Sequence, residues 1–151
     1  MKLTLYTDYS LRVLIYLASK PKEELSTIKE IADSYKISKN HLMKVTYELG
    51  KMGMIETIRG RYGGIKLAKD PSEINIGKLV RRTEEDFELV ECFGKHNSCV
   101  ITPVCGLKNA LAKALNAYLA VLDGYTLADI VTNPMEYRML FQEQLRPDTD
   151  H

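Results

Sequence analysis

The sequence predicts a mainly α-helical chain with one small β-hairpin, and three observations carry that expectation. Apolar residues recur at helical spacing in several separate stretches, most of them with a start or stop signal. A single pair of β-prone runs flanks a glycine-rich tip. A long segment with a wide apolar stripe runs from Thr102-Pro103 to Gly124.

The first helix is expected from Asp8 to Ser19, capped by Thr7 or Asp8 and stopped by Pro21. The second begins at Thr27, where Thr27-Ile28-Lys29-Glu30 has the form of a capping box. A short turn, Tyr35-Lys36-Ile37, leads to Ser38, the expected cap of a third helix that ends near Gly53. Leu42, Val45, Leu49 and Met52 give that helix its inner face. Two short helices joined by a tight turn form a helix-turn-helix pattern. Ile55–Ile58 and Ile65–Leu67 then flank Arg59-Gly60-Arg61-Tyr62-Gly63-Gly64, where three glycines are expected to allow positive φ at the tip. A hairpin directly after a helix-turn-helix is a wing.

Asp70-Pro71-Ser72 closes this unit, and a helix over Ile76–Thr83 and an acidic stretch, Glu84–Glu91, follow. The long helix is expected to start at Thr102-Pro103, with the Thr hydroxyl as cap. Its stripe is Val104, Leu107, Leu111, Ala114, Leu115, Tyr118 and Leu122. The same helix of a second subunit is the natural partner for it, with packing on its own chain as the alternative. Short helices near Thr126–Val131 and Pro134–Leu145 complete the chain. The expected organisation is a winged helix-turn-helix DNA-binding domain (1–70), a connecting helix and cysteine loop (71–101), a dimerisation helix with C-terminal helices (102–145) and a frayed tail (146–151).

Charge supports the division. The chain of 151 residues has a net charge of +1. Residues 1–70 hold 13 Lys/Arg against 8 Asp/Glu, a net of +5, while the remainder has a net of −4. A basic half joined to an acidic half suggests that the first touches a polyanion. The apolar run Leu11–Ala18 is interrupted by Arg12 and is too short to span a bilayer. It reads as an amphipathic helix of a cytoplasmic protein without a membrane role.

The expected DNA surface begins at the first turn of the third helix. Phosphate at a helix N-terminus is favoured by free N–H groups and the helix dipole, which fits Ser38 and Lys39. Asn40, His41 and Lys44 lie on the side expected to reach base edges, where Asn suits adenine and Lys suits guanine or phosphate. Arg59 and Arg61 on a glycine-rich tip suit a narrow A·T-rich minor groove. Thr27, Tyr62 and Gly63 complete the expected surface. A solvated helix face and a plain flexible hairpin are the ordinary alternatives, and the two features in succession favour DNA.

All three cysteines fall within fourteen residues, as Cys92-x6-Cys99-x5-Cys105. An odd count argues against a disulfide framework. Three thiolates supply most of a metal site and do not close one, because zinc and iron–sulfur clusters usually take four ligands. Cys105 is expected near the third residue of the long helix, where free N–H groups favour an anionic sulfur. The spacing is neither that of zinc fingers nor that of ferredoxins. Structural cysteines, a disulfide switch and a nucleophilic His96–Cys99 pair stand as alternatives, the last without an evident orienting group.

Several motifs together resemble the Rrf-two family of bacterial winged-helix regulators. They are Leu3-Thr4-x-Tyr6-Thr7-Asp8-Tyr9-x-Leu11-Arg12, Ile28-x-x-Ile31-Ala32, Ile37-Ser38-x-x-His41-Leu42-x-Lys44-Val45, Arg59-Gly60-x-x-Gly63-Gly64 and the three cysteines. The resemblance covers nearly the whole chain. It implies a homodimeric repressor that crosses its long helices and binds palindromic double-stranded operator DNA. The nitric-oxide-sensing branch is the nearest in pattern. The iron–sulfur branch that monitors cluster status has a His three residues after the last cysteine, and this chain has Lys108 there. The resemblance implies one [4Fe–4S] cluster per subunit on Cys92, Cys99 and Cys105. The other subunit's Asp8 is the expected fourth ligand, with His96 as rival and an N-cap as the plain role of Asp8. A carboxylate is a hard ligand for iron beside three soft thiolates. Nitric oxide is the implied effector, acting by nitrosylation and release of the operator. A [2Fe–2S] sensor of iron or cluster status and a cluster-free thiol redox regulator remain alternatives. The chain departs from the family pattern at Tyr62, where many relatives have Gly, and in its six-residue first cysteine spacer.

Overall fold

A computed structural model describes residues 1–147. Seven α-helices and one two-stranded sheet follow in the order α1 (Leu5–Ser19), α2 (Ile28–Tyr35), α3 (Lys39–Lys51), β1 (Ile55–Ile58), β2 (Gly64–Leu67), α4 (Ile76–Thr83), α5 (Gly106–Asp123), α6 (Leu127–Ile130) and α7 (Pro134–Leu145). Short 3-10 turns lie at Pro71–Glu73, Glu91–Phe93 and Thr102–Val104. Of the tail expected over 146–151, residues 148–151 lie outside the described residues.

The cap residues explain most of the helix starts. Thr4 caps α1 by accepting from the Thr7 N–H, so the helix begins three residues before the expected Asp8, and neither Thr7 nor Asp8 is its cap. Thr7 is instead fully buried, and its hydroxyl donates to Thr83 at 2.8 Å. Thr27 caps α2 by accepting from the Glu30 N–H at 3.1 Å, but the return bond from Glu30 is not made. The full capping box occurs at Thr126 and Asp129, at the start of α6. Ser38 caps α3 as expected.

The turn between α2 and α3 is made by Lys36, whose φ of 57° is left-handed, uncommon for a residue with a Cβ. The Ile37 N–H reaches back to the Ala32 carbonyl across it. β1 and β2 pair antiparallel, with Ile55 opposite Leu67 and Ile58 opposite Gly64, and a bridge from Ser26 to Ile65 ties the hairpin to the chain before α2. The tip glycines differ from expectation in their reasons. Only Gly60 has positive φ (115°). At Gly63 a Cβ would lie 2.1 Å from the Ile58 carbonyl oxygen, and at Gly64 it would lie 2.8 Å from that of Ser26, so close approach requires both.

One core joins all of this. Val13, Leu14, Tyr16, Ile31, Leu42, Val45, Leu49, Ile74, Leu79 and Leu127 are buried from solvent. α7 returns across α1 and α2, where Phe141 packs on the rings of Tyr16 and Tyr35 at 4.8 and 5.2 Å. The long helix α5 rests on α4. Its C-terminal end is stitched down: Asn75 Nδ2 donates to the Asp123 carbonyl at 2.8 Å, the Ile76 N–H to the Tyr125 carbonyl, and the Leu127 N–H to the Ile74 carbonyl. Arg81 pairs with the Asp123 carboxylate. Gly77 lies under this junction, where a Cβ would meet the Asp123 backbone nitrogen at 2.7 Å.

The expected stripe on α5 divides into two sides, which Leu119 and Val121, outside that stripe, extend. Leu115, Leu119 and Leu122 pack on the core, while Leu107 and Val121 are 64% and 62% exposed, with Ala114 and Tyr118 also outward. The helix itself starts at Gly106. Thr102-Pro103 opens a 3-10 turn instead, and Cys105 occupies the cap position rather than the third helical residue, because its extended ψ of 110° breaks the turn from the helix.

Candidate nucleic-acid interface and cysteine loop

α3 buries Leu42, Val45, Thr46 and Leu49 and turns its opposite side to solvent. Lys39, Asn40 and Lys44 are exposed there, and neither lysine has an ion-pair partner among the described residues. Ser38 is exposed, with its hydroxyl engaged as the cap. His41 differs from expectation. It is half-buried, and its ring meets the Tyr9 ring edge-on with centroids 4.7 Å apart, so it joins α3 to α1 instead of standing free. Thr27 is exposed at the start of α2. On the wing, Arg59, Arg61 and Tyr62 are exposed, and the Arg61 guanidinium lies over the Tyr62 ring at 5.7 Å. Gly63 holds the tip by donating its N–H to the Gly60 carbonyl. Met43, Tyr47 and Lys51, which no motif singles out, are exposed as well. They follow Asn40 and Lys44 along the same exposed side, and helical spacing alone could have found them.

Asp8 belongs to a second group. Its carboxylate accepts both Arg12 Nε and Nη2, at 3.0 and 3.1 Å, one turn further along α1. The same guanidinium lies 5.6 Å from the Tyr9 ring centroid and 5.7 Å from that of Tyr35. Tyr35 donates its hydroxyl to the Arg12 carbonyl at 2.8 Å, and burial pushes its pKa well above the ordinary tyrosine value. Contacts therefore run unbroken from Asp8 through Arg12 and Tyr9 to His41 on α3.

The cysteine loop is turned by its own side chains. Asn97 accepts from the Cys99 N–H at 2.9 Å and donates to the Thr102 hydroxyl, which donates to the Cys99 carbonyl. Thr102, expected to cap the long helix, thus closes this loop. Ser98 donates to Glu91 at 3.0 Å. All three cysteines are free; Cys99 is exposed, and Cys92 and Cys105 are half-buried. Cys92 and Lys108 line one surface cavity of about 530 Å³ with Asp86 and Glu88. No side chain caps the first N–H groups of α5, where Cys105 sits. Three free thiols fit an iron–sulfur cluster in donor type. Among the described residues, no three His, Cys, Asp or Glu side chains are gathered closely enough to hold an ion together. His96 is exposed on the loop.

Residues 3–133 match the family model Rrf2, described as an iron-dependent transcriptional regulator. The chain belongs to the Rrf2 family. It is 66% identical over 141 residues to the HTH-type transcriptional regulator NsrR of Bacillus licheniformis, covering 93% of this chain and 99% of that protein. Against NsrR of Bacillus subtilis the identity is 63% over 143 residues, covering 94% and 98%. Among solved structures, T. potens IscR is similar with a TM-score of 0.70 and 27% identity, covering 92% of each chain. The oxidized form of Staphylococcus aureus CymR is similar with a TM-score of 0.71 and 26% identity, covering 88% of this chain and 98% of that one. This Rrf2 chain is a winged-helix transcriptional regulator and not an enzyme, which sets aside the thiol-enzyme alternative. No helix among the described residues is long and apolar enough to cross a membrane.

Proposed function

We propose that this Rrf2 chain is a homodimeric repressor that holds a [4Fe–4S] cluster on Cys92, Cys99 and Cys105 and releases palindromic operator DNA on meeting nitric oxide. Asp8 of the partner subunit is the proposed fourth ligand. The observation that carries this is the donor set: three free thiols on one loop already turned by Asn97, Ser98 and Thr102, leading into the uncapped start of α5. Relatives at 66% and 63% identity share the name of the branch that the sequence motifs resemble. When bound, the cluster supplies iron that a diatomic ligand can attack, most readily where the ligand is a weakly held carboxylate.

The chain's own residues supply the coupling. Were Asp8 to hold iron, its bidentate pair with Arg12 would be given up, and Arg12 is packed on Tyr9, which touches His41 of α3. The position of Asp8 thereby bears on the recognition helix. A hundredfold loss of operator affinity needs about 2.7 kcal/mol of differential stabilisation, within the ordinary range of allosteric coupling. Dimerisation is supported by the outward side of α5, where Leu107, Tyr118 and Val121 form an apolar face.

The test is an anaerobic titration of iron-reconstituted protein with nitric oxide, reading visible absorbance and operator binding together. Loss of the visible band in step with release of DNA is expected. A colourless protein that binds DNA with or without iron sinks the cluster and favours the thiol redox switch. Mass spectrometry after treatment with oxidant would then show which two of the three cysteines form the disulfide. A protein whose two-iron content tracks iron supply and ignores nitric oxide favours the [2Fe–2S] alternative. Asp8→Ala should give a cluster that is lost faster or responds differently, and an unchanged response removes Asp8 as ligand.

A further inference from the structure

The solvent side of α3 is not uniformly polar. Met43 and Tyr47 stand one turn apart on it and are 50% and 67% exposed. Residues at this spacing lie one above the other on a helix. They border a surface groove of about 500 Å³ between α3 and the base of the wing, whose other apolar walls include Ile28, Ile55 and Ile65. Lys51 lies over the Tyr47 ring at 5.5 Å and pairs loosely with Glu48 at 3.8 Å. His41 is half-buried against Tyr9, and the exposed side chains on this side of α3 are Lys39, Asn40, Met43, Lys44, Tyr47 and Lys51.

The occupant of this face is set by charge. Lys39, Lys44 and Lys51 flank the two apolar side chains, and Arg59 and Arg61 project from the adjoining wing. A cationic frame around an apolar centre on the basic half of the chain, with 13 Lys/Arg against 8 Asp/Glu over residues 1–70, suits duplex DNA, a polyanion that also carries apolar groups. The floor of the major groove offers one apolar group, the C5-methyl of thymine.

We propose that Met43 and Tyr47 contact thymine C5-methyl groups in the major groove, so that part of the half-site specificity is read by apolar contact. This rests on the DNA-binding reading of α3. The amine and amide groups of Lys44 and Asn40 remain available for hydrogen bonds to neighbouring bases, and Lys51 for phosphate.

The test uses the full chain, iron-reconstituted and iron-free, with a duplex selected from a random pool by the protein itself. Each thymine of the selected half-site is replaced in turn by uracil, which removes only the methyl group, and binding is followed by fluorescence anisotropy. Uracil at one or two positions should weaken binding about fourfold each, the effect of one buried methyl-sized group. Met43→Ala should abolish the penalty at one of those positions and leave the salt dependence unchanged, and Tyr47→Phe should retain the penalty because the ring makes the contact. Both sites are exposed, and unchanged melting of each variant checks the fold. If uracil is neutral at every position of a specifically bound duplex, or if Met43→Ala keeps every penalty, the proposal is overturned while DNA binding stands. If no duplex is enriched over random sequence, the DNA-binding reading falls and the proposal with it.

Discussion

Tyr35 shows how one buried hydroxyl organises several neighbours. It donates to the Arg12 carbonyl, lies under the Arg12 guanidinium and packs on Phe141. Burial favours its neutral form, so its folded pKa lies above the unfolded value of 10.0. A raised folded pKa means that its contribution is fully present below that unfolded value and is lost as pH climbs above it. Stability measured by urea unfolding should therefore be flat in this term up to about pH 10 and fall beyond. Tyr35→Phe should lower stability by about 1 kcal/mol at neutral pH, through the lost hydrogen bond, and flatten that alkaline decline. A decline equally steep in the variant would assign it to other groups. None of this was legible in the sequence, because it depends on α1, α2 and α7 meeting. The same holds for the contact between His41 and Tyr9, which ties α3 to α1.

At the scale of elements, the hairpin is the clearest case of a feature legible in advance. Its first strand follows from a β-prone run and its tip from Arg59 to Gly63, while β2 begins one residue earlier than expected, at Gly64, and close approach rather than φ explains Gly63 and Gly64. As a wing, it should bind through its two exposed arginines. Arg59→Ala and Arg61→Ala should each weaken operator binding roughly uniformly across sequences and reduce the salt slope by about 1. An unchanged slope in both variants would take the wing out of the interface. The helices were legible where caps and stops are local: Ser38, Gly53 after α3, and Pro134 at the start of α7. The start of α5 was not. A Thr-Pro pair is a good helix start in general, but here the Thr102 hydroxyl is engaged by Asn97 and Cys99, and the helix waits for Gly106. The apolar stripe of α5 was legible as a stripe. Its division into a core side and an outward side depends on where α4 lies, which periodicity does not specify.

Across the whole molecule, the C-terminal helix completes the DNA-binding half instead of forming a separate layer. Phe141 fills the space between Tyr16 and Tyr35, and Arg138 donates to the Ser19 carbonyl at the end of α1. Removing that ring should cost about 3–5 kcal/mol, in the manner of other large core truncations. Phe141→Ala should therefore lower the thermal midpoint and weaken DNA binding together. A normal midpoint would show that α7 adds nothing to the first three helices. The candidate cysteine site was legible as a donor set but not as a place, since Cys92 lies beside the middle of α5 and Cys105 at its start, and no spacing rule describes the turns between them.

The stitching of Asp123 to the chain around Asn75 gives α5 the mechanics of a lever with one end held. Eighteen residues of helix reach about 27 Å from that fastening to the cysteine end. Leu115, Leu119 and Leu122 lie in its second half, nearer the held end, and the first turns stand more open to solvent. Were the cysteine end displaced, the helix would pivot beside α4 and would not slide along its axis, because the Asp123 end is the end held by hydrogen bonds and an ion pair. The travel would then be greatest where Leu107 stands and smallest where Val121 stands, so a second subunit laid along the outward side would register the same event as a change of angle.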